Sequence, residues 1–191
     1  LVILGGPGAG RGTQSERLGD RLKLLWISTG DILRAAIAPG ATDPNLTQLG
    51  QQAQVYVERG ELVPDEVMIQ FIRLRLLQAD AASGWILDGY PRTAFQAEEL
   101  DFLLEDLGQR LNKAIYLDVP DEILRSRSIA RGLLDDQPDA VQRRIDLFHA
   151  RTQPLLEYYE LRDRLLRING NQTIEQVQQE IITQLGPARQ T

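Results

Sequence analysis

The string Gly5-Gly6-Pro7-Gly8-Ala9-Gly10-Arg11-Gly12-Thr13 constrains this chain more than any other stretch. It lies between an apolar run, Leu1 to Leu4, and an amphipathic pattern that starts at Gln14. A buried strand, a glycine-rich turn and a helix, in that order, are the setting of a phosphate-binding loop. Glycines let successive backbone N–H groups curl round an anion without Cβ collisions, and the helix N-terminus adds about half a unit of positive charge. An ordinary strand-to-helix turn can carry a glycine or two, but so dense a string in this setting points to an anion site.

The loop departs from the usual G-x-x-x-x-G-K pattern at one position, where Arg11 stands in place of lysine. Lysine is a compact ammonium that can follow a moving phosphoryl group, whereas arginine is a longer planar fork with fixed donor directions. Charge is kept and geometry is not. Tight phosphate binding with slower phosphoryl transfer is therefore expected, because positioning and electrostatic stabilisation supply nearly all the catalysis in that reaction class.

Four further apolar runs, Leu24 to Ile27, Trp85 to Leu87, Ala114 to Leu117 and Leu165 to Ile168, alternate with helical patterns. Helices are expected over Gly30 to Ala38, Leu46 to Arg59, Asp65 to Ala79, Ala94 to Leu107, Asp121 to Ala130, Asp139 to Tyr159 and Ile174 to Leu185. Alternation implies a parallel sheet, and continuous apolar character implies helices on both its faces. The expected fold is a three-layer α/β domain with five parallel strands. Three helical patterns with no strand between Ile27 and Trp85 are too much for one crossover, so part of that stretch is expected to form a helical flap at the sheet's edge.

Composition narrows the function. A length of 191 residues suits one domain, spanning 1–191. With no cysteine there are no disulfides, thiol nucleophiles or thiolate metal sites. Lys plus Arg number 21 against 27 Asp plus Glu, a net charge of −6, and no dense basic block occurs, which argues against nucleic acid as a partner. No apolar run approaches the roughly 18 to 20 residues of a membrane span. A soluble protein is expected. Because Leu1 already belongs to an apolar run, the natural start is expected to lie upstream of it.

Four motifs, in order, resemble those of the adenylate kinases. Gly6 to Gln14 resembles that family's phosphate loop. Ile27-Ser28-Thr29-Gly30-Asp31-Ile32-Leu33-Arg34 resembles the start of its AMP-binding flap, and Gly60-Glu61-Leu62-Val63-Pro64-Asp65-Glu66 its end. Leu87-Asp88-Gly89-Tyr90-Pro91-Arg92-Thr93 with Gln96 resembles its second nucleotide motif. The resemblance implies a P-loop NTPase fold with a helical AMP-binding flap at about 28–63 and a minimal lid at about 130–136. It implies transfer between ATP and AMP to give two ADP, with Mg2+ entering as MgATP.

Carried over by position, the resemblance places ATP on Gly8, Ala9, Gly10, Arg11, Gly12, Thr13, Arg127, Arg131 and Gln172, the last through its backbone. It places AMP on Thr29, Arg34, Glu61, Leu62, Val63, Gly89, Tyr90, Pro91, Arg92, Gln96 and Arg144. Arg34 and Arg92 would grip the monophosphate, and an arginine fork suits that task because it can pair two phosphate oxygens at once. Gln96 would read the adenine edge. Arg11, Arg92, Arg131 and Arg144 are the implied catalytic cations, and Asp88 would hold magnesium through water. A helix cap is the rival role for Asp88, but it ends an apolar strand at the sheet edge where open α/β sheets bind ligands.

The lid brings a second departure. Family members carry an arginine just before the acidic pair Asp135-Asp136, and this chain has Leu133 there. Losing one such contact commonly costs about 2.7 to 4 kcal/mol of barrier. Two rival readings follow: a nucleotide-binding paralogue with impaired turnover, favoured by Arg11 and Leu133, and a UMP or CMP kinase, which Thr29 and Gln96 oppose. His149, the single histidine, is expected at the surface. Leu155, Leu156, Tyr158 and Tyr159 are expected in the core.

Overall fold

The computed structural model describes residues 1–38, 44–58, 63–132 and 137–186. Five parallel strands form one sheet: β1 (Val2–Leu4), β2 (Leu25–Ser28), β3 (Trp85–Asp88), β4 (Ala114–Asp118) and β5 (Leu165–Asn169), in the order β2-β3-β1-β4-β5. The helices are α1 (Arg11–Leu22), α2 (Thr29–Ile37), α3 (Pro44–Glu58), α4 (Asp65–Leu76), α5 (Ala94–Asp106), α6 (Asp121–Arg131), α7 (Pro138–Glu160) and α8 (Ile174–Leu185). The three-layer α/β expectation holds.

The strands read as unbroken apolar runs because both sheet faces are covered. Val2 and Leu4 point into one core with Trp85, Leu87, Ala114 and Tyr116. Ile3 points into the other with Ile86, Ile115 and Leu117. Residues on a strand alternate sides, so every position of β1 is buried although its neighbours lie in different cores. The first core is closed by α4, α5 and the C-terminal half of α7, and the second by α1, α6, α8 and the start of α7. Helix α7 thus serves both layers.

Helix boundaries follow local chemistry. Ser28 caps α2 by accepting from Asp31 N, Thr93 caps α5 by accepting from Gln96 N, and Thr173 with Gln176 forms a reciprocal capping box at α8. α4 stops at Leu76 rather than Ala79, because Ala79–Ala81 tighten into a 3-10 turn. Among the described residues no strand lies between β2 and β3, as expected, and α2 and α3 pack directly on each other there. Gly50 permits this contact. A Cβ at that position would stand 2.3 Å from the Ala36 carbonyl oxygen. Gly50→Ala is therefore expected to destabilise the protein by about 1 to 3 kcal/mol, read as a lower urea midpoint with an unchanged slope.

Candidate active site

Strand register builds the site. β1 pairs with β3 so that Ile3 lies opposite Asp88, which brings the loop after β1 face to face with the loop after β3. Both are carboxyl ends of neighbouring parallel strands, where a crevice opens. Between them lies a cavity of about 690 Å³.

Gly8, Ala9, Gly10, Arg11, Gly12 and Thr13 line one side of it. Gly8 has φ +80°, and a Cβ there would meet the Leu124 carbonyl oxygen at 2.6 Å and Ser128 Oγ at 2.7 Å. The loop therefore lies tight on α6, with its backbone turned toward the cavity. α1 begins at Arg11 with no side-chain cap on its first N–H groups. Those donors, with the helix dipole, make an anion site.

Arg11 donates through Nη1 to the Gly5 carbonyl, and its Nε stands 3.0 Å from Asp88 Oδ1. This is an ion pair without hydrogen-bond geometry, since Asp88 Oδ1 is buried and accepts no hydrogen bond. Asp88 caps no helix, because Ser28 and Thr93 do that work. The Asp88 carboxylate instead faces the phosphate loop with one oxygen poorly satisfied.

The opposite wall comprises Thr29, Val63, Gly89, Tyr90, Pro91, Arg92 and Gln96. Thr29 is buried, and its hydroxyl donates to the Asp88 carbonyl at 3.1 Å. Tyr90 Oη donates to the Gln96 carbonyl, and burial, with Asp65 and Glu99 nearby, pushes that phenol's pKa well up. The Gln96 amide is oriented by two bonds. Its Oε1 accepts from Arg92 N at 2.6 Å, and its Nε2 donates to Asp65 Oδ1 at 2.6 Å. An N–H donor on one side and a carboxylate on the other permit only this orientation, leaving one N–H and one lone pair for a ligand.

Arg92 reaches back to donate through Nε to the Gly89 carbonyl at 2.8 Å. The cavity walls crowd its guanidinium although part of the side chain meets solvent. Desolvation first, then the charge of Arg11, lower its pKa to about 10, with Asp88 opposing and Arg151 adding to the fall. It stays protonated at neutral pH.

Arg127, Arg131 and Arg144 add to the cationic lining, and Arg127 Nη1 also donates to the Gly170 carbonyl at 2.9 Å. Two predicted residues lie elsewhere. Arg34 does not line the cavity, and its largely exposed guanidinium pairs with Asp31 one turn away on α2. Gln172 turns its side chain to the Asn169 carbonyl and Glu180, leaving only backbone to offer. Glu61, Leu62, Leu133, Asp135 and Asp136 lie outside the described residues.

Sequence reasoning missed the contribution of α7. Leu147, Phe148, Arg151, Thr152 and Leu155 line the cavity along with Arg144. Their spacing of three, four, seven, eight and eleven from Arg144 marks one helix face, a signal present in the sequence. His149, two residues from Arg151, instead pairs with Asp121 Oδ1 at 2.7 Å, away from the cavity. Tyr159, Leu155 and Leu156 are core residues as expected, and Tyr158 is half-buried against the same core. Its ring carries the Arg162 guanidinium at 3.6 Å, beside a separate hollow where Arg164 pairs with Asp101.

A family model described as "Adenylate kinase" matches residues 3–164. The chain is 57% identical over 182 residues to a protein named "Adenylate kinase 2" of Nostoc sp. (strain PCC 7120 / SAG 25.82 / UTEX 2576), covering 95% of this chain and 96% of that one. It is 54% identical over 185 residues to the "Adenylate kinase 2" of Synechocystis sp. (strain ATCC 27184 / PCC 6803 / Kazusa), covering 97% and 99%. A Nostoc protein named "Adenylate kinase 1" matches at 45% over 186 residues.

The buried amide bridge is directly measurable. A double-mutant cycle of Gln96→Ala and Asp65→Ala in urea unfolding is expected to give a coupling of about 0.5 to 3 kcal/mol. A value indistinguishable from zero would show that Asp65 does not orient the amide.

Proposed function

Because the chain belongs to the adenylate kinase family, we propose that it catalyses reversible phosphoryl transfer between MgATP and AMP to give two ADP. The observation that carries this reading is the charge of the cavity. Its described lining includes six arginines, namely Arg11, Arg92, Arg127, Arg131, Arg144 and Arg151, against one carboxylate, Asp88, on a chain of net charge −6. Clustered cations within an acidic protein focus a positive field on the crevice, as a site for two phosphorylated ligands requires.

In this reading Gly8 to Thr13 hold the ATP phosphates, with Arg127, Arg131 and the backbone at Gln172 toward the donor nucleotide. Thr29, Val63, Gly89, Tyr90, Pro91 and Gln96 hold AMP, together with the backbone of Glu61 and Leu62. Gln96 reads adenine with the N–H and lone pair left to its amide, which supports adenine over a pyrimidine. Arg92 and Arg144 hold the acceptor phosphate, and Arg34 joins them by turning from Asp31.

An AMP phosphate oxygen attacks the γ-phosphorus in line. A new P–O bond forms, the β–γ bridging bond breaks, and its electron pair stays on the departing ADP. The attacking phosphate is already an anion, so no base takes part and His149 is not needed. Arg11, Arg92, Arg131 and Arg144 stabilise the charge that spreads over the transferring oxygens. In this reading closure of the flap and lid excludes water, the competing acceptor.

Asp88 fits a magnesium site, because its buried Oδ1 is a hard oxygen donor that accepts no hydrogen bond and faces the phosphate loop. When bound, Mg2+ supplies charge neutralisation on the ATP phosphates. Arg11 is paired with Asp88, so binding of the metal there would exchange one partner of that carboxylate for another. This exchange is a physical reason for turnover slower than a lysine would allow. We take the protein to be a monomer and place the reaction in the cytoplasm. No helix among the described residues is long and apolar enough to cross a membrane.

A coupled assay of ADP formation from MgATP and AMP tests the reading. Turnover is expected, with AMP preferred over CMP and UMP at equal concentration. Absence of ADP alongside retained binding of both nucleotides would instead establish the impaired binder. Arg11→Lys is expected to raise kcat by up to about a hundredfold, and Arg92→Ala to lower kcat/KM for AMP by about a hundred- to a thousandfold.

A further inference from the structure

Helix α7 presents two arginines to the cavity. Arg144 and Arg151 are seven residues apart, about 10 Å along the axis and on one face, with Leu147, Phe148, Thr152 and Leu155 completing that stripe. The stripe has a direction. Leu155, at its far end, packs in the same core as Val63, Met68 and Tyr90, so the Arg151 end of α7 leads to the acceptor side of the cavity.

Arg151 differs in its engagements from other arginines of the chain. Arg11 is paired with Asp88, Arg34 with Asp31, Arg127 with the Gly170 carbonyl and Arg164 with Asp101. Among the described residues no carboxylate or carbonyl engages Arg151. A second cation, Arg92, feels its charge, and the Arg92 proton is loosened in part by Arg151. The one carboxylate among the described lining residues, Asp88, acts on Arg92 but is paired with Arg11, so the two like charges of Arg92 and Arg151 are arranged for an anion from outside. A phosphate carrying two negative charges meets that need, and two forks can share its oxygens.

We propose that Arg151 is a substrate-binding residue that grips the monophosphate of the acceptor nucleotide together with Arg92. The inference rests on the reading of the cavity as a two-nucleotide site and adds a contact that none of the four sequence motifs contains. It also explains how the acceptor phosphate is held while Arg34 is paired with Asp31. The residue acts on the phosphate and not on the base, so a nucleoside without phosphate gains nothing from it.

Equilibrium titration of AMP, adenosine and MgATP into the full chain and its Arg151→Ala and Arg151→Lys variants tests this. Arg151→Ala is expected to weaken AMP by about ten- to a hundredfold, the usual worth of a hydrogen bond to a charged group, with Arg151→Lys between the two. Adenosine and MgATP affinities are expected to stay within about twofold, below the scale of a lost charged contact. KM for AMP should rise more than kcat falls. Thermal unfolding of the unliganded Arg151→Ala protein is expected at the same temperature or higher, because a like-charge contact is removed, which a structural role would not produce. AMP binding unchanged in Arg151→Ala, or MgATP weakened as much as AMP, overturns the proposal while leaving the two-nucleotide reading intact. Failure of the unaltered chain to bind AMP overturns both.

Discussion

Everything in the site depends on the pairing of β1 with β3. β1 is three residues long and buried on both sides, so its register is set by two cores at once, and a slip of one residue would exchange Ile3 with its neighbours between them. That register puts Asp88 opposite Ile3 and thereby sets the carboxylate against the phosphate loop. Gly8, pressed on the Leu124 carbonyl, then leaves the loop backbone one direction to face. Hydrophobic burial decides the position of the strands, and the polar geometry follows from it.

The electrostatics of the cavity are those of a site waiting for anions. Burial and, after it, the charge of Arg11 loosen the Arg92 proton, yet Arg92 remains charged at neutral pH because a guanidinium starts so high. The repulsion among them is a cost to the folded chain that bound phosphate removes. Stability and nucleotide binding are coupled through the same charges. The Arg11–Asp88 pair relieves part of this strain, and it draws on the loop cation and on the one carboxylate among the described lining residues. The substitution of lysine by arginine therefore affects both at once.

Much of this was readable from residue order. The glycine string between an apolar run and an amphipathic helix, the strand ending in Asp88, and Thr93 capping the helix that carries Gln96 are all local patterns, set by neighbours within one turn or one strand. The five strands and the helical stretch between β2 and β3 emerged for the same reason. Boundaries shifted where short-range chemistry competed, as at Leu76, where α4 gives way to a tighter turn.

Other features depended on packing between distant segments. The type and spacing of Arg34 suit a phosphate contact, but the nearest carboxylate, Asp31, holds its side chain outside the cavity. Gln96 looked like a base reader, and tertiary contact with Asp65, thirty-one residues away, decides which face of its amide is offered. Arg151 shares the helical phase of Arg144, but nothing in a linear chain says which face of α7 meets the loop after β3. The amino-acid order by itself determined the strand and helix pattern, the anion-binding loop and the family. Only the folded chain decided which charges face one another, since that depends on through-space distances between segments that share no local pattern.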